Sequence, residues 1–203
     1  MSDENAATAT HLPLRCDCGT AQGVLTLEPK SGMHLVCYCD DCRAFIHALG
    51  RPDILDAAGG SELFVTTPSR LSLSAGLEHL RCLRLSKKGM LRWYWACCDT
   101  PLANTRDSAG PPFVSIHRAC IAIADAAMLG PPTRVQARFA TGPTPAGAKR
   151  GNSLATILKI VRFLLLGRLR GENMPTPFFG AGAAVVVPRV LSHAERNALR
   201  PPA

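Results

Sequence analysis

Seven of the nine cysteines fall into three clusters: Cys16-Asp17-Cys18-Gly19, Cys37-Tyr38-Cys39-Asp40-Asp41-Cys42, and Cys97-Cys98-Asp99-Thr100-Pro101. Thiolates at such short spacing on a turn can converge on one tetrahedral Zn²⁺ through bonds of about 2.3 Å, and Gly19 gives the backbone freedom to turn beneath the ion. The middle cluster offers three sulfurs within six residues. Three protein ligands leave a fourth position open, the arrangement of a reactive centre. The outer clusters lie about eighty residues apart and would together close the fold around a structural ion, so that metal affinity contributes directly to folding. Clustered cysteines can also serve as small buried hydrophobes or disulfide partners. That plainer role is expected for Cys82 and Cys120, each isolated in an apolar, strand-like run.

Around the clusters, Asp40 and Asp41 are either hydrogen-bond acceptors supporting the ligands or a solvated turn. Arg43 either lowers a thiol pKa and pairs with a substrate carboxylate, or is an ordinary surface arginine. His34, His47, His79 and His117 are expected to be structural, with His117 the one that follows the last cluster most closely along a strand.

Such ligands need a rigid frame, and the chain supplies short apolar runs broken by turn residues. Val24–Leu27, Met33–Cys39 and Leu63–Val65 read as strands of a small antiparallel assembly, as do Arg70–Ser74 and Leu80–Leu85. Lys87-Lys88-Gly89 turns Leu80–Leu85 into Leu91–Trp95, a hairpin in which one face of Trp93, Tyr94 and Trp95 must be core. Gly- and Pro-rich stretches at 106–113 and 141–152 mark loops and a boundary near residue 150. Beyond it, Ser153 caps a helix through Leu154, Ile157, Leu158, Val161, Leu164 and Leu165 that is expected to stop at Gly167. At about 14 residues it is too short for the ~20 that a bilayer span needs. It would dock on the sheet or on a partner, with lodging at a membrane surface as the alternative. Residues 174–190 read as an extended arm wrapped on the domain.

The chain of 203 residues is 47% hydrophobic and 19% charged, which suits one globular domain with an added segment. Its net charge of +8 is uneven, because residues 111–203 hold 12 Lys/Arg against 3 Asp/Glu while the cysteine-rich part is close to neutral. Nucleic acid is therefore not an expected partner: the basic C-terminal segment can attract phosphate or an anionic membrane surface, but its plainer reading is a solvated face. The N-terminal stretch is polar and acidic, unlike a secretory signal, so a reducing, cytoplasmic setting is expected, in which clustered cysteines bind metal or catalyse.

At Cys16-Asp17-Cys18-Gly19, Cys37-Tyr38-Cys39-Asp40-Asp41-Cys42 and Cys98-Asp99-Thr100-Pro101-Leu102 the chain resembles the glutathione-dependent formaldehyde-activating enzyme and centromere protein V family. The resemblance covers roughly residues 12–120. It implies a mainly β, β-tent zinc fold, here residues 14–150, preceded by a disordered tail (1–13) and followed by a C-terminal helix and arm (151–203). It also implies a carbon-sulfur lyase that makes or cleaves the adduct of a thiol such as glutathione with a small aldehyde such as formaldehyde. Cys16, Cys18 and Cys98 would hold a structural zinc, and Cys37, Cys39 and Cys42 a second, open zinc site. Three thiolates weaken the ion as a Lewis acid, so thiol binding alone is a lesser outcome. The chain departs from the family pattern where Trp95 stands at the usual first cysteine of the last cluster and Asp99 at the usual glycine. The fourth structural ligand is expected to be Cys97, which requires a turn because adjacent strand residues face opposite ways; Cys82, Asp99 and water are the alternatives. The competing function is a non-catalytic, zinc-stabilised binding module that uses the basic C-terminal segment, and a homo-oligomer is left open.

Overall fold

A computed structural model describes residues 9–29, 31–151 and 153–199. The protein is mainly β with a C-terminal helix. From the N-terminus run β1 (Thr10–Arg15), β2 (Gln22–Leu27), β3 (Met33–Cys37), α1 (Asp40–Ala48), β4 (Ser61–Thr66), β5 (Leu71–Ala75), β6 (Leu80–Arg84), β7 (Leu91–Trp95), β8 (Thr100–Thr105), β9 (Val114–His117) and β10 (Thr133–Val135). The C-terminal part adds α2 (Leu154–Leu169), β11 (Phe179–Gly180), β12 (Ala183–Ala184), β13 (Arg189–Val190) and α3 (His193–Ala198).

An eight-stranded sheet in the order β10-β3-β4-β9-β8-β7-β6-β13 is antiparallel in its centre and ends in a parallel pairing at each edge. A three-stranded antiparallel sheet, β1-β2-β5, packs on one face. Between the two lie Leu12, Leu14, Leu25 and Leu71 from the small sheet and Leu80, Trp93, Trp95, Leu102 and Ile116 from the large one. On the opposite face α1 buries Phe45, Ile46 and Leu49 against Leu83, Leu85 and Leu191. The period-2 alternation explains this division, since Leu91, Trp93 and Trp95 turn to the first core while Tyr94 packs against the second.

The expected N-terminal tail of residues 1–13 overlaps the first strand. Residues 1–8 lie outside the described residues, but Thr10–Pro13 belong to β1, where Leu12 and Leu14 are buried and His11 and Pro13 face out. Proline is tolerated because β1 is an edge strand. The helix α1 was hidden in the sequence by its own ligand spacing: the run ending at Cys39 is β3 plus a helix N-cap, and Asp40 and Asp41 sit where carboxylates favour the helix dipole.

Downstream of residue 150 the chain is more deeply built in than an appendage. Ser153 caps α2 by accepting from the Thr156 amide, as expected, but the helix passes through Gly167. That glycine is buried because a Cβ there would lie 3.0 Å from Pro112 Cβ, so it permits a close crossing rather than a stop. The arm then inserts Phe178 and Phe179 into the main core, with the Phe178 ring 4.9 Å from that of Trp93, and β13 adds a parallel edge to β6.

Candidate metal centres

Cys16, Cys18, Cys97 and Cys98 come together with all four sulfurs within 4.8 Å of one another. Cys16 Sγ is 3.4 Å from Cys18 Sγ and 3.7 Å from Cys97 Sγ, and Cys97 and Cys98 are 3.8 Å apart. Four bonds of about 2.3 Å in a tetrahedron set sulfurs about 3.8 Å apart, so the spacing fits one ion. Two backbone reversals make it. After Cys16, the Gly19 amide donates to the Cys16 carbonyl and the Ala21 amide to Cys16 Sγ, with Gly19 at φ +80°. After β7 the chain turns over residues 96–99, and Asp99 takes φ +53°. This turn brings the adjacent Cys97 and Cys98 to the same centre, and it needs a residue that tolerates the left-handed region, as glycine or aspartate does.

Thr100 was not singled out in the sequence. It is fully buried, accepts a hydrogen bond from the Asp17 amide at 3.1 Å and places its hydroxyl 3.1 Å from Cys98 Sγ, linking the two knuckles. The thiols are unequal. Hydrogen bonding with the Thr20 hydroxyl and backbone, then with Cys16 and Cys97, lowers exposed Cys18 to about 6, whereas burial raises Cys16 and Cys97. Four mutually contacting thiols cannot all ionise without a cation between them. Cys82 is not a ligand; its thiol lies in the main core and burial pushes it up to about 12. Cys120 is equally a core residue.

Cys37, Cys39 and Cys42 form the second group, again with sulfurs within 4.8 Å. Cys37 ends β3, Cys39 occupies the N-cap position of α1 and Cys42 lies in its first turn, where the helix dipole favours negative charge. Cys42 is buried while Cys37 and Cys39 are partly exposed. The Cys42 thiol is held well below its ordinary value by hydrogen bonds from Cys37 and Cys39 and, against burial, by the charge and hydrogen bond of Arg92.

The family described as "Family of unknown function (DUF6151)" matches residues 8–188. The chain belongs to DUF6151. No curated protein matches it. Among solved structures, a crystal structure of a Rhodobacter sphaeroides protein from a structural genomics programme is similar at 17% identity, over 59% of this chain and 97% of that one, with a TM-score of 0.42.

In this DUF6151 member the three-cysteine group has a polar floor that the sequence concealed. Arg92, Asn104 and Ser115 are direct cross-strand partners on β7, β8 and β9. Arg92 donates to Asn104 Oδ1 at 3.1 Å, Asn104 Nδ2 donates to Ser115 Oγ at 3.0 Å and lies 3.2 Å from His117 Nε2, and Ser61 Oγ is 3.5 Å from His117 Nδ1. Ser61 is in turn the cross-strand partner of Cys37. All five are buried, and α1 covers them through Phe45, whose ring lies 5.4 Å from that of His117 and 5.5 Å from the Arg92 guanidinium carbon. No carboxylate of the described residues lies within ion-pair distance of Arg92. By contrast, Arg43 pairs with Asp40 at 2.7 Å and donates to the Phe139 carbonyl, while its buried Nε has no hydrogen-bond partner among the described residues. His34 pairs with Glu62, and half-buried His79 lies near Glu78.

Burial, reinforced by the Arg92 charge, holds His117 at about 3 instead of 6.5. A group depressed in this way contributes stability that is complete above its unfolded value and is lost as pH falls from about 6.5 toward 3. At 1.36 kcal/mol per unit, the share lost by about pH 4.5 is roughly 2.7 kcal/mol. Urea unfolding of His117→Gln should decline correspondingly less between those pH values than that of the unsubstituted protein; identical declines would mean that His117 titrates normally.

Proposed function

We propose that both cysteine groups hold zinc and that the chain is a carbon-sulfur lyase-like protein acting on the adduct of a glutathione-type thiol with a small aldehyde. The observation that carries this reading is the difference between the two groups: four sulfurs close one centre, while only three converge at the other, two of them partly exposed. The all-sulfur donor sets suit zinc. Zinc held by Cys37, Cys39 and Cys42 would supply an open position at which a thiolate is bound and oriented.

The chain's own residues then have definable tasks. Arg92 supplies a fixed positive charge beside Cys42, which offsets the net negative charge of three thiolates on a divalent ion and explains a buried guanidinium with no carboxylate partner among the described residues. Asn104 aims that guanidinium, and its second contact runs toward His117, which burial keeps neutral. The reaction itself balances simply: the S–C bond forms, the carbonyl π bond opens, and the thiol proton ends on the oxygen. A reducing, cytoplasmic setting suits the nine free thiols. Among the described residues no helix is long and apolar enough to cross a membrane.

Protein purified without chelator should contain two zinc ions per chain. After replacement by cobalt, added glutathione should change the visible spectrum of the unsubstituted protein and not that of Cys39→Ser, and adduct formation with formaldehyde should be followed by NMR. A cobalt spectrum indifferent to glutathione would instead favour the non-catalytic binding module.

A further inference from the structure

α2 packs through one side only. Gly167 crosses closely over Pro112 and Thr67, and Arg168 donates to the Gly110 carbonyl at 3.0 Å. On the opposite side Leu154, Leu158, Val161, Leu165 and Leu169, flanked by Ile157, remain 45–83% exposed. Their spacing of four, three, four and four residues keeps them on one stripe along the whole helix, about 24 Å at 1.5 Å per residue. A continuous apolar stripe of this length is a surface that something covers.

Charge identifies the cover. α2 contains Lys159, Arg162 and Arg168 and no Asp or Glu, with Arg170 just beyond its end and Lys149 and Arg150 just before it. By helix geometry Lys159, Arg162 and Arg170 fall along one flank of the stripe. There they line a cavity of about 360 Å³ together with Arg70, Met33 and Phe163. Arg70 is already engaged by Glu28 and by Glu172, which also lines the cavity, whereas Lys159 and Arg162 have no ion-pair partner among the described residues. A second copy of the helix would bring like charges together without a complementary acid. An anionic bilayer surface instead offers acyl chains to the stripe and phosphate groups to the flank, the pairing that interfacial helices use.

We propose that α2 is an interfacial helix that lays its Leu154–Leu169 stripe on an anionic lipid surface, with a lipid phosphate seated against Lys159 and Arg162. The helix lies on the bilayer without crossing it, and the metal centres need not take part.

Co-sedimentation of the full chain with vesicles tests this. Binding to phosphatidylcholine vesicles containing phosphatidylserine should exceed binding to phosphatidylcholine alone by at least about tenfold and fall as salt is raised. Leu158→Glu/Leu165→Glu should abolish it, and Lys159→Glu/Arg162→Glu should lower it about tenfold, both with unchanged circular dichroism because the substituted side chains face solvent. Absence of binding to the anionic vesicles would overturn the proposal. So would a concentration-dependent dimer that Leu158→Glu/Leu165→Glu converts to monomer, since a second copy would then cover the stripe.

Discussion

Replacing Cys98 by serine is expected to cost the protein most of its thermal stability, while replacing Cys39 by serine leaves the fold largely intact and removes the response to thiols. The four-cysteine centre joins residues 81 positions apart, from Cys16 to Cys97. The three-cysteine centre spans only five positions, from Cys37 to Cys42. On chain-closure entropy alone the longer link constrains the unfolded chain by about 2.5 kcal/mol more. Structural zinc binding itself contributes about 10–16 kcal/mol in small domains, comparable to the whole ~5–15 kcal/mol stability of a typical fold. Loss of one of four ligands should therefore lower Tm by about 10 °C or more, at about 2–4 °C per kcal/mol for a chain of this size. Calorimetry of the two variants with and without chelator makes the comparison. Equal losses in both would remove the distinction between a closed, structural centre and an open one.

Phe178→Ala should be nearly as damaging, although it lies some eighty residues beyond the last cysteine cluster. The ring is completely buried against Trp93, in the same core on which Cys97 and Cys98 pack. Truncating a buried phenylalanine costs about 3–5 kcal/mol, or roughly 6–20 °C here. A chain ending at residue 150 would lose Phe178, Phe179 and β13 together. It should lose metal from the four-cysteine centre along with its fold. Retention of zinc by a folded 1–150 chain would show that the arm merely decorates the core. Leu158→Glu, on the exposed side of α2, is the control and should leave Tm within about 2 °C.

Local patterns that carry their own geometry were legible in the sequence. The β6–β7 hairpin, with Leu80 opposite Trp95, follows from two apolar runs joined by a turn, and the Ser153 cap follows from the residue before a helical run. The three-cysteine group follows from spacing so short that few backbones can hold the sulfurs apart, whereas the meeting of Cys16 and Cys18 with Cys97 and Cys98 spans 81 positions. Relations between distant residues were decided by tertiary structure. Cys97 joins Cys98 because Asp99 enters the left-handed region, a choice of backbone well that residue type permits but does not compel. Arg92, Asn104, Ser115, His117 and Ser61 lie on four strands and become one buried row through register alone, with no shared spacing to announce them. Phe178 looks like part of a proline- and glycine-broken tail, because periodicity reports which residues share a face of one element and is silent on which distant segment fills the space beside Trp93.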